Sequence, residues 1–264
     1  MTFVAPATAP LSTSPPAPAS PAVTPTPAGA PTDDASPPPF HPGPVAVPIL
    51  LYHHVRDTLQ PVRYTLDPER FEAQLDDLVA GDYHTITVQD LVDAIRIGAP
   101  LPERPVVLTF DDGNRDVLDQ AFPRMQARGM VGVIYIVGNR IGADGFLASL
   151  DLRSLRDAGW EIGSHGMTHV ALPDLPAGTL ADEIEGSKTA IEAALGEPIH
   201  SFAYPFGVIT AESLSLVIQA GYTSGAGLGI LNEHRPDGLF YLSRREVRGT
   251  YDLEAFRALL GQPG

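Results

Sequence analysis

His165 and His169 stand four residues apart in GSHGMTH (163–169), in a chain with eight histidines. Two imidazoles at that spacing can chelate one divalent ion. Where the spacing serves as His-Glu-x-x-His, the intervening glutamate is the base. Here the intervening residues are Gly166, Met167 and Thr168, none of them an acid. A third ligand and a base must come from elsewhere, or the pair is an ordinary surface or capping feature. TFDDG (109–113) offers both, as two carboxylates at the end of an apolar run with Gly113 to turn the chain. One carboxylate would complete a His₂Asp set, an open arrangement that suits catalytic zinc. The other would take a proton from water that the ion acidifies. The plainer alternative is a strand-end turn in which Asp112 caps the next helix.

These clusters need elements to bring them together. VAVPILLYHHV, TITV, PVVLTF, VGVIYIV, WEIGSH and SFAYPFG read as short buried strands. Between them lie helical patterns, among them DPERFEAQLDDLVAGDY, VQDLVDAIRIG, DVLDQAFPRMQARG, LDLRSLRDAG, LADEIEGSKTAIEAALG and AESLSLVIQAG, with DLEAFRALLG last. Strand and helix alternate throughout, the pattern of βαβ units around a parallel sheet. In such folds the working residues gather at the C-terminal ends of the strands. YHH (52–54), DDG (111–113), SHGMTH (164–169) and YPFG (204–207) all fall at such ends.

Composition narrows the partners. The formal net charge is −15 and no basic stripe appears, so nucleic acid and anionic membranes are poor partners. With no cysteine, disulfides and thiolate metal sites are excluded. No apolar run is long enough to predict a transmembrane segment, and MTFVAPATAP does not read as a signal peptide. Fourteen of the 27 prolines precede residue 45, among Ala, Ser and Thr. Residues 1–44 are therefore expected to form a disordered tail or linker, ahead of a single domain over 45–264.

Taken in order, TFDDG (109–113), HGMTH (165–169), FAYPFG (202–207) and the entry PILLYHHV with FEAQLDDLVAGDY resemble the polysaccharide deacetylases, carbohydrate esterase family 4 or the NodB-homology domain. The resemblance runs from about Val47 to the C-terminus. It implies a distorted (β/α) barrel and removal of N-acetyl groups from N-acetylglucosamine-containing polysaccharide by metal-activated water. It further implies that Asp112, His165 and His169 hold one divalent ion, Zn²⁺ first and Co²⁺, Ni²⁺ or Mn²⁺ as alternatives, and that Asp111 is the general base. The backbone N–H of Phe206 would help hold the oxyanion, and Tyr204 and Phe206 would line a sugar platform. Gly166 stands where the family usually has a hydroxyl residue. Ala203 stands where many members have an arginine that holds the catalytic aspartate, and YLSRREVRG (241–249) lacks a late histidine that serves as general acid. This chain is more similar to the exopolysaccharide poly-N-acetylglucosamine deacetylases. His53 is then the best substitute acid, ahead of His54, whose plainer role is an internal hydrogen bond. Arg244 is expected to take the place of the missing arginine beside Asp111. Rival readings are an O-acetyl xylan esterase, a small-amide hydrolase and a carbohydrate-binding pseudoenzyme. The chain is expected to work as a monomer outside the cytoplasm, in or near the cell wall.

Overall fold

The computed structural model describes residues 1–2, 41–60, 62–173 and 175–261. Residues 3–40, most of the expected tail, lie outside the described residues. The central sheet is built from β1 (Ile49–Tyr52), β2 (His84–Thr85), β3 (Pro105–Phe110), β4 (Val133–Ile136), β5 (Glu161–Ser164), β6 (Ser201–Ala203), β7 (Ser224–Ala226) and β8 (Arg245–Glu246). Its hydrogen-bonded order is β7-β6-β5-β4-β3-β1-β8, with β2 also pairing β3, and every pair is parallel. The segment 242–246 draws the two edges together. Leu242 bridges Ala226 of β7, Gly229 N–H donates to the Arg244 carbonyl, and β8 pairs with Leu50 and Leu51 of β1. The sheet thus curls into the distorted (β/α) barrel expected.

Side chains alternate along each strand, and the core divides accordingly. Ile49, Val107, Val133, Tyr135, Ala203, Ala226 and Leu242 form one buried cluster inside the curl. Leu50, Leu108, Ile134 and Phe202 belong to the other, against the surrounding helices. The inner cluster continues into helix α1 (Val88–Ile97). Its Val88, Leu91, Val92 and Ile95 recur at helical spacing and are all buried, each worth roughly 1.5–3 kcal/mol of burial. Thr87 and Asp90 close a capping box at its start, so the expected strand TITV stops at Thr85 and Val88 belongs to the helix.

Two expected helices contain a turn of wider winding. Residues Val117–Ala121 form a π turn ahead of the short α-helix Phe122–Gln126. A second π turn, Asp182–Gly186, interrupts the long helix between Ala177–Ala181 and Ser187–Leu195. Such bulges add a residue to the helix and are frequent at functional sites. Both turns adjoin residues of the candidate site. Among the described residues no helix is long and apolar enough to cross a membrane.

Candidate active site

The alternation of β3 decides what its two aspartates do. Val107, Thr109 and Asp111 face inward on every second position, and Asp111 lies just past the strand with only 2 % of its surface exposed. The chain then turns, Asp112 and Gly113 both taking positive φ (76° and 74°), which brings Asp112 out to the rim. A Cβ at Gly113 would lie 3.1 Å from the Ile136 side chain, so glycine serves both the turn and the packing.

Arg244 meets Asp111 from the closing segment. The Arg244 Nη1 donates to Asp111 Oδ1 at 2.6 Å and Nη2 to Oδ2 at 2.9 Å, a two-pronged, charge-assisted pair. Nη1 also reaches Thr109 Oγ1 at 3.3 Å, and Nε donates to the Gly227 carbonyl at 3.1 Å. The guanidinium lies over the ring of Tyr135, 5.2 Å from its centroid. Its neighbour Arg245 turns the other way and donates to the carbonyls of Ala258 and Leu259. Burial alone would raise the Asp111 pKa, but Arg244 and then His165 outweigh it and hold the carboxyl at about 2.

The histidine loop is set by β5. His165 Nδ1 donates to the Ala203 carbonyl at 2.8 Å, which leaves Nε2 with its lone pair toward the pocket. Burial lowers the His165 pKa, against the opposing pull of Asp111 and Asp112. Glu183, on the second π turn, accepts from the backbone N–H of Met167 (2.9 Å) and Thr168 (3.0 Å) and from Thr168 Oγ1 (2.5 Å). Gly166 has φ 78°, and a Cβ there would come within 3.0 Å of Glu183 Oε2. The glycine in place of a hydroxyl residue thus makes room for this brace.

Asp112, His165 and His169 each offer a ligand atom, all within 4.8 Å of one another. Two ligands about 2.1 Å from a shared tetrahedral centre lie about 3.4 Å apart. His169 Nε2 and Asp112 Oδ1 are separated by 3.2 Å. Yet Asp112 Oδ1 is buried without a hydrogen-bond partner among the described residues. Two acceptor-type atoms facing one space, with no proton shared between them, fit a cation. Arg140 approaches the same oxygen at 3.6 Å.

Strain marks the same place. Of the five described non-glycine residues with positive φ, three are here: Asp112 (76°), His169 (62°) and Phe206 (60°). Each costs of order 1–3 kcal/mol against an ordinary backbone.

A cavity of about 370 Å³ opens over these groups, with His53, Tyr64, Phe206 and Leu228 in its wall. Residues 163–228 alone do not enclose it, since β1 and the closing segment supply the other side. His53 packs against Tyr64 with centroids 4.7 Å apart and the rings tilted by 55°, and its Nδ1 is buried without a partner among the described residues. Burial lowers its pKa, against the opposing pull of Asp111 and Asp112. His54 turns to Asp116 instead, donating from Nδ1 to Oδ2 at 2.7 Å, which is the internal bond expected of it. Phe206 is 57 % exposed and packs on His169, centroids 4.9 Å apart. The Tyr204 ring is buried against Phe202, with its hydroxyl unpartnered among the described residues, and it contributes to the lining of the same cavity. Its position at the end of β6 turns it into the core, leaving Phe206 as the exposed aromatic.

Residues 98–225 match the family model described as polysaccharide deacetylase. The chain carries a polysaccharide deacetylase domain. YxkH of Bacillus subtilis, whose name places it provisionally in the same family, is 26 % identical over 217 residues, covering 82 % of this chain and 77 % of its own. The poly-beta-1,6-N-acetyl-D-glucosamine N-deacetylase of Staphylococcus epidermidis is 24 % identical over 181 residues, and the match spans 61 % of each chain. The fold is that of a Bacillus cereus polysaccharide deacetylase, with TM-score 0.72 at 24 % identity over 82 % of this chain and 69 % of that one. IcaB from Ammonifex degensii has the same fold, with TM-score 0.70 at 23 % identity over 82 % and 97 %.

Two residues of the deacetylase domain's site carried no signal in the sequence. Glu183 sits in what reads as a plain amphipathic helix, and Asp116 in a run of polar residues after DDG. Glu183 takes its role from the π turn that carries it, and Asp116 from its place immediately ahead of the other.

Proposed function

We propose that this chain is a metal-dependent hydrolase that removes N-acetyl groups from N-acetylglucosamine units of a polysaccharide outside the cytoplasm, through a domain spanning residues 45–264. The observation that carries this reading is the meeting of the Asp112–His165–His169 cluster with the buried Asp111–Arg244 pair at one end of the barrel. Asp112, His165 and His169 would hold one divalent ion, with Zn²⁺ the best match to two imidazoles and a carboxylate. When bound, the ion supplies acidity to water and polarises the acetyl carbonyl.

The chain's own groups do the rest. Asp111 accepts the proton of the attacking water. A carboxylate held at about pKa 2 is always ionised but weakly basic, so it depends on that acidity. Arg244 fixes the plane of the carboxylate and keeps it charged. The backbone N–H of Phe206, in the strained turn after β6, donates to the carbonyl oxygen as charge develops on it. His53 delivers a proton to the departing nitrogen, its ring held against Tyr64. Phe206 gives an apolar face beside the ion for the sugar ring.

The test is acetate release from N-acetylchitooligosaccharides by the metal-loaded chain, beside acetylated xylan and after chelation. Release from the chitooligosaccharides that is lost on chelation and restored by Zn²⁺ supports the reading. Release from xylan alone would replace it with an esterase, and no release with a full metal complement would leave a binding protein.

A further inference from the structure

A second cleft, of about 550 Å³, adjoins the catalytic cavity and shares Arg63, Leu228, Arg244 and Glu246 with it. Its own walls add Arg245, Arg248 and Tyr251. Arg244 is neutralised by Asp111, which leaves three guanidinium groups against Glu246, the sole carboxylate among the lining residues. Glu246 is already claimed twice. Arg63 grips it with Nε at 2.8 Å and Nη2 at 2.9 Å, and Arg248 Nε donates to the same carboxylate at 2.9 Å. Arg245 is fixed on the carbonyls of Ala258 and Leu259, with its Nε buried and unpartnered among the described residues. The cleft therefore holds a local excess of positive charge on a chain whose net charge is −15.

That contrast selects a ligand class. An anionic polymer is repelled by most of this surface, and an island of fixed arginines beside the reaction site is where it would be accepted. Guanidinium groups favour carboxylate and phosphate, which match their fork. We infer that this cleft is a subsite for the sugar next to the one being deacetylated, and that the substrate carries a carboxylate or phosphate there. The assignment rests on the deacetylase reading for its substrate, but the cleft's preference for anions is measurable without turnover.

The experiment is calorimetric binding to the full chain, stripped of metal so that no acetate is released. Three probes are compared at low and high salt: neutral N-acetylchitotetraose, its 1-phosphate, and a hyaluronan tetrasaccharide, whose alternate sugars carry carboxylates. At low salt an anionic probe should bind about tenfold more tightly than the neutral one, two exposed charge contacts each contributing under about 1 kcal/mol. High salt should close the gap. Arg248→Gln should weaken the anionic probe about threefold to fivefold and narrow its preference, and Arg248→Lys should give back most of it. The tighter of the two anionic probes identifies the substituent. Equal affinities, a preference that survives both salt and Arg248→Gln, or no binding of any probe would overturn the inference. Acetate release from neutral N-acetylchitotetraose by the metal-loaded chain is scored separately and decides the deacetylase reading alone.

Discussion

Replacing Arg244 with methionine leaves Asp111 as a carboxylate with 3 % of its side chain exposed and its two strongest donors gone. Breaking a buried pair from one side typically costs about 3–5 kcal/mol, because the remaining charge is desolvated without compensation. In a domain of this size that is a fall in melting temperature of about 6–20 °C. Arg244→Lys keeps the charge but not the fork. A single ammonium on a shorter reach cannot serve both Asp111 oxygens, Thr109 and the Gly227 carbonyl at once. Its cost should be about 1.5–3 kcal/mol, that of one charge-assisted bond, with bound metal retained and turnover reduced. Asp111→Asn combined with Arg244→Met removes both charges and should recover at least half of the single-variant loss. Thermal and denaturant unfolding of the four proteins, closed as a double-mutant cycle, gives the coupling directly. A loss under about 1 kcal/mol for Arg244→Met, or a double variant as unstable as the two singles summed, would refute the pairing argument.

His165→Ala and His169→Ala should each abolish the binding of about one divalent ion per chain, read by elemental analysis, since two remaining ligands hold a metal poorly. Asp111→Asn should keep the ion while acetate release falls on the order of 10²–10⁴-fold. Asp112→Asn should weaken metal binding instead, and the opposite pattern would exchange the two roles. His234 is buried and neutral, donating from Nε2 to the Val47 carbonyl at 3.0 Å, and burial lowers its pKa. Its unfolded form titrates near 6.5, so its contribution to stability is full above that pH and is lost as pH falls toward the lower folded value. Melting temperature should therefore decline below about pH 6.5, and His234→Gln, which keeps a donor, should flatten that decline.

Much of the barrel was legible because its strands are short apolar runs and its helices carry strong periodicity. PVVLTF matches β3 residue for residue. The pieces that close the barrel were less visible. β7 is Ser-Gly-Ala, with no side-chain pattern, and β8 is two residues long and charged. Its place in the sheet follows from its pairing with β1, far away in the chain, which local sequence does not encode. The site divides in the same way. DDG and the histidine spacing mark their residues by type, and Arg244 could be placed by the departure at Ala203. An aromatic at a strand end reads alike whether its ring turns outward, as that of Phe206 does, or packs inward, as that of Tyr204 does. Glu183 and Asp116 were invisible because a helical wheel does not show where the helix winds wide.

The positive-φ residues around the ion site have a consequence for how this protein would change under selection. Glycine already occupies the left-handed positions 113, 166 and 207, where no side-chain chemistry is assigned. At 112, 169 and 206 the backbone takes the same conformation, yet a full side chain persists. Glycine at any of these three would relax the local geometry and gain roughly 1 kcal/mol. A laboratory lineage selected only for heat resistance should therefore drift toward glycine there and grow inert as it grows sturdier. A lineage that must keep turning over is barred from that easy improvement, and has to find its added stability in the helices and the closing segment instead.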